Sequence, residues 1–405
     1  MNNETSTHQN FQVSRPATAG TVQPSTAKAP VLVGDPGELI AGIPAMIGFP
    51  PQRSLVVLIL RPGQDATAVL VDSVMRIDLD QNDGHTPLQA ATVANCIAQV
   101  TATEDRSAVL AVVVDDRVAE PGLTAGDTDE SCRAGRFERF VADLARLLAS
   151  SEIDLAAAWA VQAIESEQPW WTLIGSARAG ILPDPAHSTI ADGATVFGSR
   201  AELEALVSED ATLQQEVATL LDTSVAAARD RQARAVEQGD PTAYSRQSLE
   251  YVLWQVASIK DGEQLLAPEL AELAVALRDR AVRDVMFALA VGEHAEAVEA
   301  SWSVMARAQS GSDRAEAAAL LAYSAYVRGN GPLAGIALEA ALGADPEHSL
   351  AALLESALSI GIRPEKMTRL ARSGFEAAVD LGVDLGEPSP SITSGTSAME
   401  SQDGR

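Results

Sequence analysis

The sequence predicts an α/β domain followed by a helical domain. Two continuous apolar runs, Leu55–Leu60 and Ala108–Val114, have the length of buried strands and are separated by helical patterns. Strands that alternate with helices are typical of a mixed sheet with helices packed on it. Beyond residue 200 the helical pattern is almost continuous. We therefore expect an α/β domain over residues 31–200 and an all-α domain over residues 201–385.

The α/β domain is predicted to open with a short helix and two strands. Asp35 can cap a helix that begins at Pro36. Pro44 would lie inside this helix, so a kink or an early end is expected there. The apolar run over residues 54–60 and the segment 66–79 are then predicted to pair as a hairpin.

The rest of this domain is predicted to alternate helices with strands. Helices are expected near residues 87–103 and 129–150, and strands over residues 108–114 and 154–163. After the paired tryptophans that follow, the strand pattern fades. The strand over residues 154–163 is therefore predicted to be the last one of the sheet.

The overall charge and the ends of the chain restrict the possible partners. The net charge is −27 over 405 residues, so phosphate backbones and anionic lipids repel the surface. Neither nucleic acid nor a membrane is expected as a partner. Residues 1–30 are rich in Ser, Thr, Asn, Gln and Pro, and residues 386–405 are rich in Ser, Thr, Gly and Pro, so both segments are predicted to be disordered. The first of these segments lacks the features of a signal peptide, so a cytoplasmic location is expected by elimination.

Residues 320–346 carry the pattern of a helical hairpin. Gly329 is predicted to end one helix and Pro332 to begin the next, on which small residues would let two helices approach closely. The spacing of glycine, alanine, leucine and proline here matches the second half of a tetratricopeptide repeat. We therefore expect the all-α domain to be tetratricopeptide-like. Two related units are expected beside it, marked by Gly292, Ala297 and Trp302 before it and by Ser349, Gly361 and Pro364 after it.

Four blocks of residues occur in a characteristic order along the chain. They lie within residues 36–57, 76–79, 170–183 and 282–351. In this order they resemble the actinobacterial domain-of-unknown-function family numbered 4192, over roughly residues 31–375. Members of that family often carry a cysteine cluster after the paired tryptophans, whereas the segment that begins at Thr172 here contains no cysteine. The resemblance implies no activity, because the family is named for its unknown function.

No catalytic, metal or cofactor motif stands out. No Gly-Lys pair is present, which excludes the usual phosphate-binding loop, and the histidines lack metal-ligand spacing. The segment Gly329–Ala334 matches the residue pattern of a dinucleotide-binding loop. Such a loop follows a strand, however, and no strand is predicted before this segment. We therefore predict no catalytic residue, no metal ligand and no cofactor.

The paired tryptophans, Trp170 and Trp171, are candidate contact residues. Adjacent strand residues point to opposite faces of a sheet, so one ring is expected to pack inward. The other could plug the space between the two domains or form the wall of a ligand or partner site. We expect Trp171 to be the more exposed of the two.

Charged residues supply the remaining candidates. Arg76 and Asp78 would share one face of a strand, at a charged sheet edge or in a cleft. Asp115 follows a strand end, where open sheets place ligands, although a solvated loop is the simpler interpretation. Arg283 and Asp284 lie in a helix. They could form an ion pair on the surface, a buried salt bridge, or a site where Arg283 binds an anion.

These observations favour a non-enzymatic protein-interaction or scaffold protein. The helical repeats would present a groove to a protein partner of unknown identity, and the α/β domain would bind a small ligand or be structural. The alternative is an unrecognised enzyme or small-molecule sensor. Its site would lie at the carboxyl-terminal edge of the sheet, near Arg76, Asp115 and Trp171.

Overall fold

The computed structural model describes most of the chain between Asp35 and Gly386, and its described residues are 35–62, 69–80, 88–101, 108–118, 128–188, 196–359, 362 and 364–386. All of them belong to one compact unit. The predictions of disorder for residues 1–30 and for nearly all of 386–405 lie outside the described residues. The same is true of residues 119–127, in the loop that follows Asp115, and of Gly361.

Among the described residues, six strands form one mixed sheet, in the spatial order β2–β1–β3–β4–β5–β6. Only β3 and β4 are parallel, and every other neighbouring pair is antiparallel. The first two strands pair as predicted. The strands are β1 (Ser54–Pro62), β2 (Val69–Asp78), β3 (Ala108–Val114), β4 (Asp154–Val161), β5 (Pro169–Ile174) and β6 (Ala179–Ile181).

The prediction that the sheet ends with the strand that became β4 is wrong. β5 and β6 continue it, and β5 lies between β4 and β6. Both are short, at six and three residues, and β6 contains Gly180, so neither has the long apolar run that identified β1 and β3. Among the described residues, no strand follows Ile181.

Helices cover both faces of the sheet. The helices α1 (Pro36–Ala41) and α2 (Ile43–Ile47) pack on one face, and α3 (Ala90–Thr101) and α4 (Thr128–Ala149) pack on the other. Because both faces are covered, every residue of Leu55–Leu60 is buried. A continuous apolar run is the expected sequence of such a strand.

The break between α1 and α2 is the early helix end that the sequence predicts. Asp35 caps α1, since its side chain accepts a hydrogen bond from the backbone N–H of Gly37. The first helix ends at Gly42, and Pro44 lies in the first turn of α2, where a missing N–H costs nothing. The proline is thereby accommodated without a distorted helix.

The described residues beyond Arg200 form ten helices that share one main hydrophobic core. They are α5 (Arg200–Ala205), α6 (Ala211–Glu237), α7 (Ala243–Lys260), α8 (Ala267–Leu277), α9 (Arg280–Leu289), α10 (Ala295–Ala308), α11 (Gly311–Val327), α12 (Gly331–Ala344), α13 (Ser349–Ser359) and α14 (Pro364–Asp380). The fold is therefore an α/β part followed by an all-α part, as the sequence predicts.

The hairpin that the sequence places at residues 320–346 forms in the structure. α11 and α12 pack closely against each other. Gly329 takes the left-handed backbone conformation (φ 78°) between them, and Pro332 lies in the first turn of α12. Ala334 is completely buried, as expected for a small residue between two close helices.

The preceding unit departs from the expected hairpin. α9 has its main packing partner in α14, the last of the helices described, and α10 packs on α11. Gly374 lets α14 approach α9, because a Cβ atom added there would lie 2.7 Å from the backbone nitrogen of Ala288. The hydroxyl of Tyr323 donates to the carbonyl of Met367, which ties α11 to the same helix. α14 therefore covers faces of α9 and α11.

Phe49 joins the sheet layers to the helical core. Gly48 ends α2 in the left-handed conformation (φ 83°), and its carbonyl accepts a hydrogen bond of 2.7 Å from the backbone N–H of Phe197. The turn directs the ring of Phe49 away from the sheet and into the core of the helices, where it is buried.

The approach of α14 to α9 predicts opposite effects for two glycine-to-alanine changes. Gly374→Ala should lower the free energy of unfolding by about 1–3 kcal/mol, because the new methyl group meets backbone atoms. Gly343→Ala, in the exposed part of α12 with nothing near its Cβ position, should raise it by about 0.5–1 kcal/mol. Urea denaturation of both variants measures the difference. Equal effects would show that α14 does not pack closely at Gly374.

Candidate functional site

The carboxyl ends of the parallel strands β3 and β4 lie together at one edge of the sheet. Val114, the last residue of β3, pairs with Val161 of β4 on one side and with Ser54 of β1 on the other. Ser54 in turn pairs with Asp78 at the end of β2. These pairings place Asp115, which directly follows Val114, at the sheet edge that the sequence predicts as a candidate ligand site.

Asp115 is completely buried at this edge and is fully compensated by Arg117. Its two carboxylate oxygens accept hydrogen bonds of 2.8 and 2.6 Å from the guanidinium, and the backbone N–H of Arg117 adds a third. Arg117 also contacts Asp80 at 3.0 Å. The hydrogen bonds to Asp115 raise the pKa of Arg117, so this guanidinium stays charged. The arrangement closes the turn after β3 and leaves Asp115 no free oxygen for a ligand.

The neighbouring pair, Asp116 and Arg53, is exposed. The two side chains form a bidentate contact at 2.9 and 3.2 Å, and the hydrogen bond from Arg53 lowers the pKa of the Asp116 carboxyl. Arg53 has a left-handed backbone (φ 42°), which is uncommon for a residue with a side chain. This pair is the polar part of the sheet edge that faces solvent.

Arg76 lies beside Phe49, where the sheet layers contact the helical core. It is separate from the cluster of Asp115, Arg117 and Asp80. It shares a sheet face with Val56 and forms an ion pair with Asp78, as the i, i+2 spacing predicts. Its guanidinium carbon is 5.5 Å from the centre of the Phe49 ring. Burial lowers the pKa of Arg76, and its Nε makes no hydrogen bond with a described residue. We interpret Arg76 as a cover for the buried aromatic ring.

Both paired tryptophans are buried in the sheet layers. Trp170 packs with α1 and α2, while Trp171 packs with α3 and α4, so the predicted opposite faces are confirmed. The expected exposure of Trp171 is wrong, since each residue is only 5% exposed. Neither ring is part of the hydrophobic core of the helices. The prediction that one of them fills the space between the two domains is therefore wrong too. The physical reason is that β5 is an interior strand with helices over both faces.

Arg283 and Asp284 form a partly buried ion pair in α9, with a distance of 2.6 Å. Glu316 of α11 lies 3.8 Å from Arg283 and also contacts His348, which precedes α13, at 3.3 Å. Two carboxylates therefore surround one guanidinium. This excess of negative charge disfavours the binding of an anion by Arg283. The cluster instead connects α9, α11 and the start of α13.

Metal ligands are not brought together in the part of the chain that the structure describes. No group of three or more His, Cys, Asp or Glu side chains there could hold a metal ion. None of the helices described has the length and apolar character needed to cross a bilayer.

An exposed tryptophan is the surface feature that the sequence patterns missed. Trp254 of α7 is 61% exposed, whereas the other four tryptophans are each at most 5% exposed. Gln247, Glu250, Ala257 and Asp261 lie three or four residues apart on the same side of this helix and are also exposed. Their polar and small side chains, spaced at the helical period around Trp254, were the available signal for a solvent face.

The tryptophans predict a clear contrast in stability. Trp170→Ala and Trp171→Ala should each lower the free energy of unfolding by about 3–5 kcal/mol, because each empties a packed core position. Trp254→Ala is the matched control and should change it by no more than about 0.5 kcal/mol. Chemical denaturation of the three variants measures these values. A small loss at Trp171 would mean that its ring is accessible for binding.

Comparison with known proteins agrees with the four sequence blocks and adds no activity. No curated protein and no solved structure matches the chain. A family model described as "Domain of unknown function (DUF4192)" matches residues 36–365, which include the sheet, the joint at Phe49 and the helices through α13. The chain therefore belongs to the DUF4192 family.

Proposed function

We propose that this protein is a non-enzymatic, cytoplasmic interaction protein whose helical part binds a protein partner. The observation that carries the proposal is the exposure of Trp254 on the outer face of α7. Tryptophan is enriched among the residues that dominate binding energy at protein interfaces, where its large ring is desolvated by the partner. The proposed contact surface, which we call the α7 face, consists of Gln247, Glu250, Trp254, Ala257 and Asp261.

The packing of α14 favours the α7 face over a groove between the repeats. The faces of α9 and α11 that would line such a groove already contact α14. A partner at that position would have to displace a helix held by the close approach at Gly374. The α7 face needs no such rearrangement, because its five side chains are exposed already. A tetratricopeptide-like scaffold remains part of the proposal only for α11 to α13.

A small-molecule site at the sheet edge is the second candidate function. It is favoured by the left-handed backbone of Arg53 beside Asp116, because strained backbone often accompanies binding sites. It is disfavoured by the compensation of Asp115 and by the burial of Trp171, which remove two of the groups expected to contact a ligand. Under the first proposal, the α/β part is structural.

Site-specific photo-cross-linking in cells tests the interaction proposal. A photoreactive residue at position 257, one turn from Trp254, should cross-link a discrete partner protein. The same residue at position 353, where Leu353 is also largely exposed but lies on α13, is the control and should not cross-link that partner. Because Trp254 supplies most of the apolar contact, Trp254→Ala should abolish the cross-link from position 257 at little cost in stability.

Reconstitution decides between the possible results. The purified partner should bind the full chain, and Trp254→Ala should weaken this binding roughly ten-fold or more, as for an interface hot spot. Cross-linking that is equal from positions 257 and 353, or unaffected by Trp254→Ala, would contradict the proposal. A cross-link to a second copy of this chain would assign the α7 face to self-association and would also contradict it.

A further inference from the structure

The solvent side of α7 carries an aromatic ring between two carboxylates. Glu250 precedes Trp254 by four residues, or about one helical turn, and Asp261 follows it by about two turns. Both acidic residues are exposed. Neither side-chain carboxylate forms a hydrogen bond or an ion pair with another described residue. The nearest basic residues of this helix are Arg246, which is paired with Asp240, and Lys260, which is exposed beside Asp261. Glu250 is therefore the charged residue of α7 nearest to the exposed ring along the helix, and it has no ionic partner among the described residues.

Several acidic residues of the helical part are paired with arginines, which Glu250 and Asp261 are not. Glu272 is paired with Arg231, Asp240 with Arg246 and Asp313 with Arg278. Tyr251, one turn before Trp254 on the same helix, is half-buried, and its pKa is raised to about 12, first by burial and then by the charges of Glu272 and Glu269. A second, half-buried aromatic ring thus lies one turn from the exposed one.

We infer that the α7 face binds an arginine-bearing basic segment of a protein partner, with a guanidinium stacked on Trp254. This inference rests on the proposed function and adds the chemistry of the partner. A cation over an indole ring is attracted by the negative face of the ring, and tryptophan is the best of the aromatic residues for this contact. Arginine is favoured over lysine because its planar guanidinium stacks on the ring and donates to a carboxylate at the same time.

Charge complementarity selects this occupant over the alternatives. Glu250 lies close enough along the helix to accept hydrogen bonds from a guanidinium that stacks on Trp254. The net charge of −27 repels acidic partners and attracts a basic one from a distance. A second copy of this chain would bring the same carboxylates face to face. A purely apolar segment would cover Trp254 but leave Glu250 and Asp261 desolvated without partners.

Titration of the full chain with a short synthetic peptide of alternating arginine and glycine tests the inference. Binding is measured by calorimetry and by the change in fluorescence of the exposed tryptophan. Trp254→Leu should weaken binding roughly 3- to 30-fold, and Trp254→Phe should restore part of the loss. Glu250→Gln should weaken it roughly two- to five-fold, as for an exposed ion pair. A lysine–glycine peptide should bind more weakly, and a serine–glycine peptide should not bind.

Glu355→Gln is the control for general attraction to an acidic protein, because Glu355 is exposed on α13 and the charge change is identical. This variant should bind the arginine peptide as the wild type does. Equal weakening by Glu250→Gln and Glu355→Gln, or undiminished binding by Trp254→Leu, would overturn the inference.

The cross-linking experiment separates this inference from the proposed function. A partner that depends on Trp254 but contacts position 257 through a segment without arginine or lysine would overturn the inference and leave the proposed function intact. Conversely, peptide binding that depends on Trp254 and Glu250, with no partner cross-linked in cells, would support the chemistry of the α7 face and contradict the interaction function.

Discussion

The burial of Phe49 in the core of the helices is the contact on which the arrangement of the whole chain depends. The ring comes from the turn after α2, in the layer that covers the sheet, yet its apolar neighbours belong to the helical part. The left-handed turn at Gly48 aims it there, and the hydrogen bond from Phe197 holds the turn. Arg76 then covers the ring from the edge strand β2. A single aromatic side chain thus anchors the sheet layers in the core of the helices, and the partly buried Arg76 packs against its ring.

Much of the α/β part was predictable, because local pattern and burial agree there. β1 and β3 are buried on both faces and read as continuous apolar runs, and the cap at Asp35 and the break before Pro44 follow from side-chain chemistry alone. The alternation of Trp170 and Trp171 was predictable from strand geometry, but the position of β5 and β6 in this sheet was not. Their place is decided by pairing with β4, which is a long-range contact, and their own six and three residues carry too little pattern.

The candidate site shows the same division between local and long-range information. The ion pairs of Arg76 with Asp78 and of Arg283 with Asp284 join residues close in sequence, and their spacing indicated them. The compensation of Asp115 by Arg117, with Asp80 brought in from another part of the chain, depends on the sheet order. The burial of Trp171 depends on β5 being interior. The exposure of Trp254 was missed for a different reason: its polar and small neighbours at the helical period indicate a solvent face, but an aromatic residue in a helix is usually part of a core.

The return of α14 to α9 has a consequence for how the chain emerges from the ribosome. α9 is synthesised well before the helix that covers it, and the two are separated by all of α10 to α13. At about 5–20 residues per second, several seconds pass before α14 is available. During this interval the apolar residues of α9, among them Val285 and Met286, lack their final partner. Apolar surface that lacks its partner during synthesis favours aggregation. A premature stop before Pro364 would leave this surface of α9 without the helix that covers it.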